Sequence, residues 1–118
     1  MSWQVLAHPE FDAEVVDLPL HVQRDILSAA LLLKQYGPHL GRPYADTLNG
    51  SRISNLKELR CTVGGDPWRI AYAFDPLRQA VLLVAGCKAG VKSTVFYKRL
   101  IRIAESRMED HLKRELDR

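Results

Sequence analysis

The order of hydrophobic and polar positions divides the first part of the chain into a short strand and two helices. Residues 3–7 have strand character, and Pro9 with acidic residues after it begins a short helix. From residue 20 to residue 36, apolar side chains recur at helical spacing, and Gly37-Pro38 ends that run. This pattern predicts a helical hairpin.

The middle of the chain changes from helical to strand periodicity. Residues 38–53 are rich in Pro, Gly, Asn and Asp and predict a loop. Residues 56–63, 68–74 and 80–87 are each of strand length, with turn signals at Gly64-Gly65 and Asp75-Pro76 between them. The third run is continuously apolar, which is typical of a strand covered on both faces. We therefore expect an antiparallel meander.

A last helix begins at Ser93 or Thr94 and carries an apolar stripe that includes Tyr97 and Leu112. The elements together predict an α+β fold. In it, a small antiparallel sheet, made of the N-terminal strand and the three-stranded meander, packs on the helical hairpin with a C-terminal helix. A length of 118 residues suits one domain, residues 1–118. The opposite side of the last helix bears Lys98, Arg99, Arg102 and Arg107.

Composition and charge narrow the classes of function. The chain has no apolar run near the roughly 20 residues that span a bilayer, so we expect a cytoplasmic protein that does not enter a membrane. Residues 1–50 carry 3 Lys+Arg and 6 Asp+Glu, whereas residues 51–118 carry 14 and 8. A basic second half favours a polyanionic partner. Cys61 and Cys87 lack ligand spacing to histidine, so no metal or other cofactor is expected.

Two arginines interrupt the strand pattern. Arg60 and Arg69 flank the glycine turn, and a loop of either two or four residues would place both on one sheet face. Small neighbours such as Ala71 and Ala73 would leave a shallow basic trough on that face. Arginine forks match the geometry of phosphate. The alternative is that Arg60 pairs with an acid such as Glu58 on an ordinary solvated face.

The remaining candidate functional residues are mainly cationic side chains. Lys88 and Lys92 follow the third meander strand and can reach the same face as the arginines. The four histidines are scattered, and the sequence has no phosphate-binding loop or nucleophile elbow. Cations alone suit one reaction, the attack of an RNA 2′-hydroxyl on the adjacent phosphate, because Arg and Lys stabilise the charge that develops. Tyr97 or a lysine could transfer the proton, and Tyr97 also fits the apolar stripe.

Four segments, taken in order, carry a resemblance to a known family. They are "GRPYADTLNGSRISNLKELR", "WRIAYAFDP", "VLLVAGCKAG" and "FYKRLIRIAESRMEDHL". This series is similar to the HigB-like branch of the RelE/ParE toxin superfamily, also described as phage-derived Gp49-like. The resemblance covers nearly the whole chain and implies a RelE-like fold.

The resemblance implies the toxin of a type II toxin–antitoxin system, a ribosome-dependent endoribonuclease that cleaves mRNA and inhibits translation. It implies three partners: a cognate helix-turn-helix antitoxin, the ribosome and mRNA. We expect the arginines to bind phosphate and Lys88 to stabilise charge or donate a proton. The expected catalytic residues are Arg60, Arg69, Lys88, Lys92 and Tyr97. The residues expected to bind RNA around them are Arg42, Lys57, Lys98, Arg99 and Arg102.

Two other functions fit the same scaffold. Superfamily members of the ParE type inhibit DNA gyrase without cutting RNA, and a non-catalytic RNA-binding module would satisfy the composition. The concentration of cations on one face favours RNA over a protein target. A protein that only binds RNA would show salt-dependent affinity and release no product with a cyclic phosphate.

Overall fold

The computed structural model describes residues 2–117, so Met1 and Arg118, the two ends of the predicted domain, lie outside the described part. Within that part, no helix combines the length and apolarity needed to cross a bilayer. The elements of residues 2–117 are β1 (Val5–Ala7), α1 (Pro9–Val15), α2 (Leu20–Tyr36), a 3₁₀ turn (Gly37–His39), β2 (Ala45–Thr47), β3 (Lys57–Val63), β4 (Asp66–Phe74), β5 (Ala80–Cys87) and α3 (Ser93–Leu116).

The strands form one sheet in the order β1-β5-β4-β3-β2. Neighbours from β2 to β5 are antiparallel, which confirms the predicted meander, whereas β1 runs parallel to β5. The α+β class is therefore confirmed. The prediction of an uninterrupted loop over residues 38–53 is wrong, because β2 pairs with the start of β3. An edge strand of three residues is too short to show the alternation that identifies strands.

Helices cover both faces of the sheet. α1 and α2 pack on the face that carries Leu59, Ile70 and Tyr72, and α3 packs on the face that carries Ala71 and Ala73. Both alanines are buried, since their small side chains let α3 approach the sheet closely. The trough expected beside them is therefore filled by α3 along β4, and the accessible part of this face lies toward the β3–β4 hairpin.

The turn between β3 and β4 sets the register of the two arginines. Gly64 and Gly65 have φ angles of +57° and +88°, the left-handed conformation that a two-residue hairpin turn requires. Val63 lies opposite Asp66, and counting back along both strands places Arg60 directly opposite Arg69. Of the two loop lengths that the sequence allows, the structure has the shorter.

A buried arginine fastens α3 to the rest of the fold. Arg107 donates hydrogen bonds to both carboxylate oxygens of Glu14, at 2.7 and 2.6 Å, and to the carbonyl of Leu83 at 2.9 Å. The hydrogen bond from Arg107 lowers the pKa of Glu14. Grouping Arg107 with the solvated cations of the last helix is therefore wrong, because its side chain reaches around the helix to α1 and β5.

Candidate active site

The opposed arginines lie at the accessible end of the face that α3 covers. Arg60 on β3 and Arg69 on β4 are direct cross-strand partners. Their side chains are 27% and 8% exposed, so neither is an ordinary solvated cation. Like charges directly opposite one another in a sheet repel. The pair therefore requires a negative charge nearby.

Glu58 supplies that negative charge. It precedes Arg60 by two residues on β3 and so points to the same face. The residue is buried; Oε1 lies 3.5 Å from Arg69 Nε, and Oε2 lies 3.9 Å from Arg60 Nη1. From sequence, Glu58 is considered only as a pairing partner and is missing from the candidate site. The alternation that places both arginines on one face identifies Glu58 as well.

Tyr97 connects this cluster to the first turns of α3. Its hydroxyl donates to Glu58 Oε1 at 2.9 Å and accepts from Arg69 Nε at 3.2 Å. Burial raises the pKa of Tyr97, Arg69 opposes that rise, and Glu58 adds to it. The phenol therefore keeps its proton at neutral pH. The ring also packs edge-on against Phe96, so Tyr97 serves both the packing and the polar cluster.

Lys88 enters the cluster from the segment after β5. Its backbone amide donates to the carbonyl of Pro67 at 2.8 Å, which holds this segment against the start of β4. Its ammonium nitrogen lies 5.1 Å from the centre of the Tyr97 ring, within the range of a cation–π contact. Lys92 occupies the cap position before α3 with an exposed side chain, and among the described residues it makes none of the contacts of the cluster.

A cavity of about 480 Å³ opens onto this cluster, and we refer to it as the β3–α3 cavity. Its size lies within the roughly 300–1,000 Å³ typical of small-ligand pockets. Leu48 and Ile101 give it an apolar wall. The charged and phenolic groups at its border are Arg42, Glu58, Arg60, Lys88 and Tyr97. Three of the five predicted catalytic residues, Arg60, Lys88 and Tyr97, thus border this cavity. Arg69 contacts Tyr97 and, with Arg60, borders a neighbouring cavity of about 500 Å³.

The residues predicted to bind RNA lie in three places. Arg42 borders the β3–α3 cavity and pairs with Asp46 at 2.7 Å. Lys57 lies on the opposite face of the sheet, beside a recess that includes Trp3, and is not brought together with the others. A second cavity of about 530 Å³ shares Ile101 with the first, and its cations are Lys98, Arg99 and Arg102. These three extend the positive surface from the site along α3.

Histidine and cysteine contribute little to this site. Within residues 2–117, none of the four histidines borders the β3–α3 cavity; His8 caps α1, and His111 lies toward the other end of α3. Cys61 and Cys87 are free, partly buried thiols. Besides its arginines, the ionisable groups at the border of the cavity are therefore Glu58, Lys88 and Tyr97.

Comparisons with known proteins all relate this chain to one family. Residues 13–109 match the family described as phage-derived protein Gp49-like. A Mycobacterium tuberculosis protein named "Putative toxin HigB2" is 44% identical over 88 residues, which are 74% of this chain and 43% of that protein, so the chain spans less than half of its length. Another, named "Putative toxin HigB3", is 40% identical over 111 residues, which are 94% of this chain and 95% of that protein. The chain therefore belongs to the phage-derived Gp49-like family, as its resemblance to HigB-like proteins predicts.

Proposed function

We propose that this protein is the toxin of a type II toxin–antitoxin system and that it cleaves mRNA on the ribosome as an endoribonuclease. The observation that carries the proposal is the directly opposed pair of Arg60 and Arg69, held beside a buried carboxylate and a protonated tyrosine at the border of a cavity. The similarity to proteins named as HigB toxins supports the toxin class. Support for catalysis comes from the geometry of the cluster.

The first step is binding of the scissile phosphate by the arginine pair. Arg69 donates from Nε to Tyr97 and from Nη1 to the carbonyl of Trp68, which fixes the plane of its guanidinium group. Arg60 is the more exposed of the two and borders the cavity directly. Two guanidinium groups placed in this way bind phosphate oxygens and stabilise the extra negative charge of a pentacoordinate intermediate.

The chemical step is attack of the ribose 2′-oxygen on the adjacent phosphorus. The O2′–P bond forms as the P–O5′ bond breaks, which leaves a 2′,3′-cyclic phosphate and a 5′-hydroxyl end. The 2′-hydroxyl loses one proton, and the departing 5′-oxygen gains one. Glu58 borders the cavity and engages Tyr97 through Oε1, so its second oxygen, Oε2, is the proposed acceptor of the first proton.

Lys88 is the proposed donor of the second proton. Its ammonium group lies over the Tyr97 ring, and its side chain borders the cavity, where it can follow the leaving oxygen. The Tyr97 hydroxyl points its proton at Glu58 and is therefore assigned a positioning role toward Glu58 and Arg69. Lys88 also stabilises charge on the phosphorane, in keeping with the role expected from the family resemblance.

The proposed partners follow from the substrate and the class of protein. Ribosome-bound mRNA would extend from the β3–α3 cavity across the α3 cations Lys98, Arg99 and Arg102, each of which suits a phosphate contact. A cognate helix-turn-helix antitoxin would neutralise the protein by covering the cavity or by blocking access to the ribosome.

The direct test is cleavage of a defined mRNA by the purified protein, with stalled ribosomes and with free RNA, mapped by primer extension. Wild type is compared with Arg69→Ala, with the more exposed Arg60→Ala, and with the control Arg24→Ala on the exposed side of α2. We expect position-specific cuts only with ribosomes, loss of cutting in both site variants, and wild-type cutting in the control. The products should carry a 2′,3′-cyclic phosphate.

Other results separate the alternatives. Cuts on free RNA would support ribonuclease activity and show that the ribosome is not required. Intact mRNA with salt-dependent RNA binding would indicate a non-catalytic binding module. Intact mRNA together with growth arrest and inhibited DNA supercoiling would indicate a gyrase inhibitor of the ParE type.

A further inference from the structure

Three potential metal ligands meet toward the C-terminal end of α3. Asp75 follows β4, and His111 and Glu115 are one turn apart on α3; one donor atom from each lies within 4.8 Å of the other two. His111 Nε2 is 2.9 Å from Asp75 Oδ2 and 3.3 Å from Glu115 Oε1. Zinc bound tetrahedrally at about 2.0–2.2 Å from nitrogen and oxygen separates its ligands by about 3.3–3.6 Å. The two distances from His111 Nε2 are therefore close to the spacing that a metal ion imposes.

The buried ligand of this group is already oriented by its own turn. The Asp75 side chain is fully buried, and its Oδ1 accepts hydrogen bonds from the backbone amides of Leu77 at 3.0 Å and Gln79 at 2.9 Å. These contacts fix the carboxylate with Oδ2 toward His111. Hydrogen bonds of this kind orient the ligands of metal sites and are part of their design.

Gln79 can supply a fourth ligand atom to a metal ion. Its amide nitrogen lies 2.8 Å from Asp75 Oδ2 and 3.4 Å from Glu115 Oε1. Rotating the amide by half a turn exchanges this nitrogen for the amide oxygen. In that orientation Gln79 offers an oxygen to the same point on which the carboxylates and the imidazole converge.

We propose that Asp75, His111 and Glu115, with Gln79 as a fourth donor, form a binding site for a divalent transition-metal ion such as Zn²⁺. One imidazole with carboxylate and amide oxygens suits zinc or manganese rather than a thiolate-seeking metal. The two carboxylates balance the charge of a divalent ion. A recess of about 400 Å³ bordered by Gln79, His111 and Glu115 opens to solvent and gives the ion a path to the site.

The cation that borders this recess does not oppose the assignment. Arg114 borders the same recess, but its guanidinium group is paired with Asp110 at 2.5 Å. His111 and Glu115 have the i, i+4 spacing that lets two side chains on one helix face share a metal. The third ligand, Asp75, lies 36 residues before His111, which explains why spacing in the sequence indicates no metal site.

The site is independent of the proposed ribonuclease. Tyr97 and His111 are fourteen residues apart on α3, which corresponds to about 21 Å along the helix axis. A metal ion here joins α3 to the turn between β4 and β5 and takes no part in phosphate chemistry. Its role is to stabilise the fold, and it neither rests on the proposed function nor alters it.

The test is titration of the tag-free full chain with Zn²⁺ by calorimetry, with Mn²⁺ and Mg²⁺ in parallel, and with Co²⁺ followed by visible absorption. We expect one Zn²⁺ per chain, a higher Tm with zinc, and Co²⁺ bands of a tetrahedral nitrogen–oxygen site without a thiolate charge-transfer band. His111→Ala and Glu115→Gln should each weaken zinc binding at least tenfold. The control is His21→Ala, which removes an exposed histidine of α2 and should bind zinc as wild type does.

Two outcomes would overturn the proposal. Absence of zinc binding in the folded wild type would identify the group as a hydrogen-bonded cluster of one histidine and two carboxylates. Equal zinc affinity in wild type, His111→Ala and Glu115→Gln would place the ion elsewhere, and a cobalt–thiolate band would assign it to cysteine. Glu115→Gln keeps the contact between His111 and Asp75, so its result stands even where His111→Ala fails to fold.

Discussion

Replacing Glu58 by glutamine tests the central feature of the candidate site. The substitution keeps the size of the side chain and lets an amide oxygen accept the hydrogen bond from Tyr97, which carboxylate Oε1 now accepts at 2.9 Å. It removes only the negative charge that lies 3.5 Å from Arg69 and 3.9 Å from Arg60. The two arginines are then left opposite one another without compensation.

The magnitude follows from these distances. With an effective dielectric constant of about 20, each charge pair at 3.5–3.9 Å attracts by roughly 4–5 kcal/mol before desolvation is subtracted. Removing a buried carboxylate also relieves a desolvation penalty of several kcal/mol. Because Arg60 is partly exposed, we expect Glu58→Gln to lower the free energy of unfolding by roughly 2–4 kcal/mol.

Urea unfolding followed by circular dichroism measures this loss. If repulsion between the arginines is the cause, then adding Arg60→Gln to Glu58→Gln should recover about 1 kcal/mol or more relative to additivity. Asp17→Asn, which removes an exposed acid from the turn between α1 and α2, is the control and should leave the midpoint unchanged. An unchanged midpoint in Glu58→Gln, or strict additivity in the double variant, would refute the charge-balance argument.

The same variant separates binding from chemistry in the proposed ribonuclease. Loss of a general base lowers the cleavage rate by about 10²–10⁴-fold. The site gains one unit of positive charge, so affinity for RNA should be retained or increased. Slow cleavage with weakened RNA binding would instead show that Glu58 acts through the structure of the cluster.

Three further predictions concern stability. Tyr72→Phe removes a buried hydroxyl that has no partner among the described residues and should stabilise the fold by about 1 kcal/mol in thermal unfolding. Burial also raises the pKa of Tyr72 to about 12 from an ordinary 10.0, so wild type should lose stability as the pH rises through that range while the variant loses less. Gly37→Ala should destabilise by roughly 2 kcal/mol, because φ is +56° and the added methyl group would meet the indole ring of Trp3; an unchanged urea midpoint would contradict this. The hydrogen bond from Arg107 lowers the pKa of Glu14 below its ordinary 4.5. The contribution of this pair to the free energy of unfolding is therefore complete above pH 4.5 and is lost as the pH falls below it. Glu14→Gln should flatten the acid side of the stability curve, and a curve identical to that of wild type would contradict the pairing.

Elements with long, regular patterns were predictable from the sequence, and short ones were not. α2 and β5 have the predicted bounds, since seventeen residues of helical periodicity and eight of continuous apolar character leave few alternatives. β2 was not predicted, because its three residues depend on pairing with β3. The prediction that Arg107 belongs with the surface cations of α3 is wrong for a similar reason. A long side chain on a polar helix face can reach partners that only the packed fold supplies, here Glu14 and the carbonyl of Leu83.

The sequence by itself determined that Arg60 and Arg69 share a sheet face, because strand alternation and a turn of even length are local properties of the chain. Tertiary structure alone decided how much of that face stays accessible, since α3 covers Ala71 and Ala73 and leaves the hairpin end open. It also decided which groups meet there. Glu58 and Tyr97 are 39 residues apart, and no periodicity within one element encodes a contact between a strand and a distant helix.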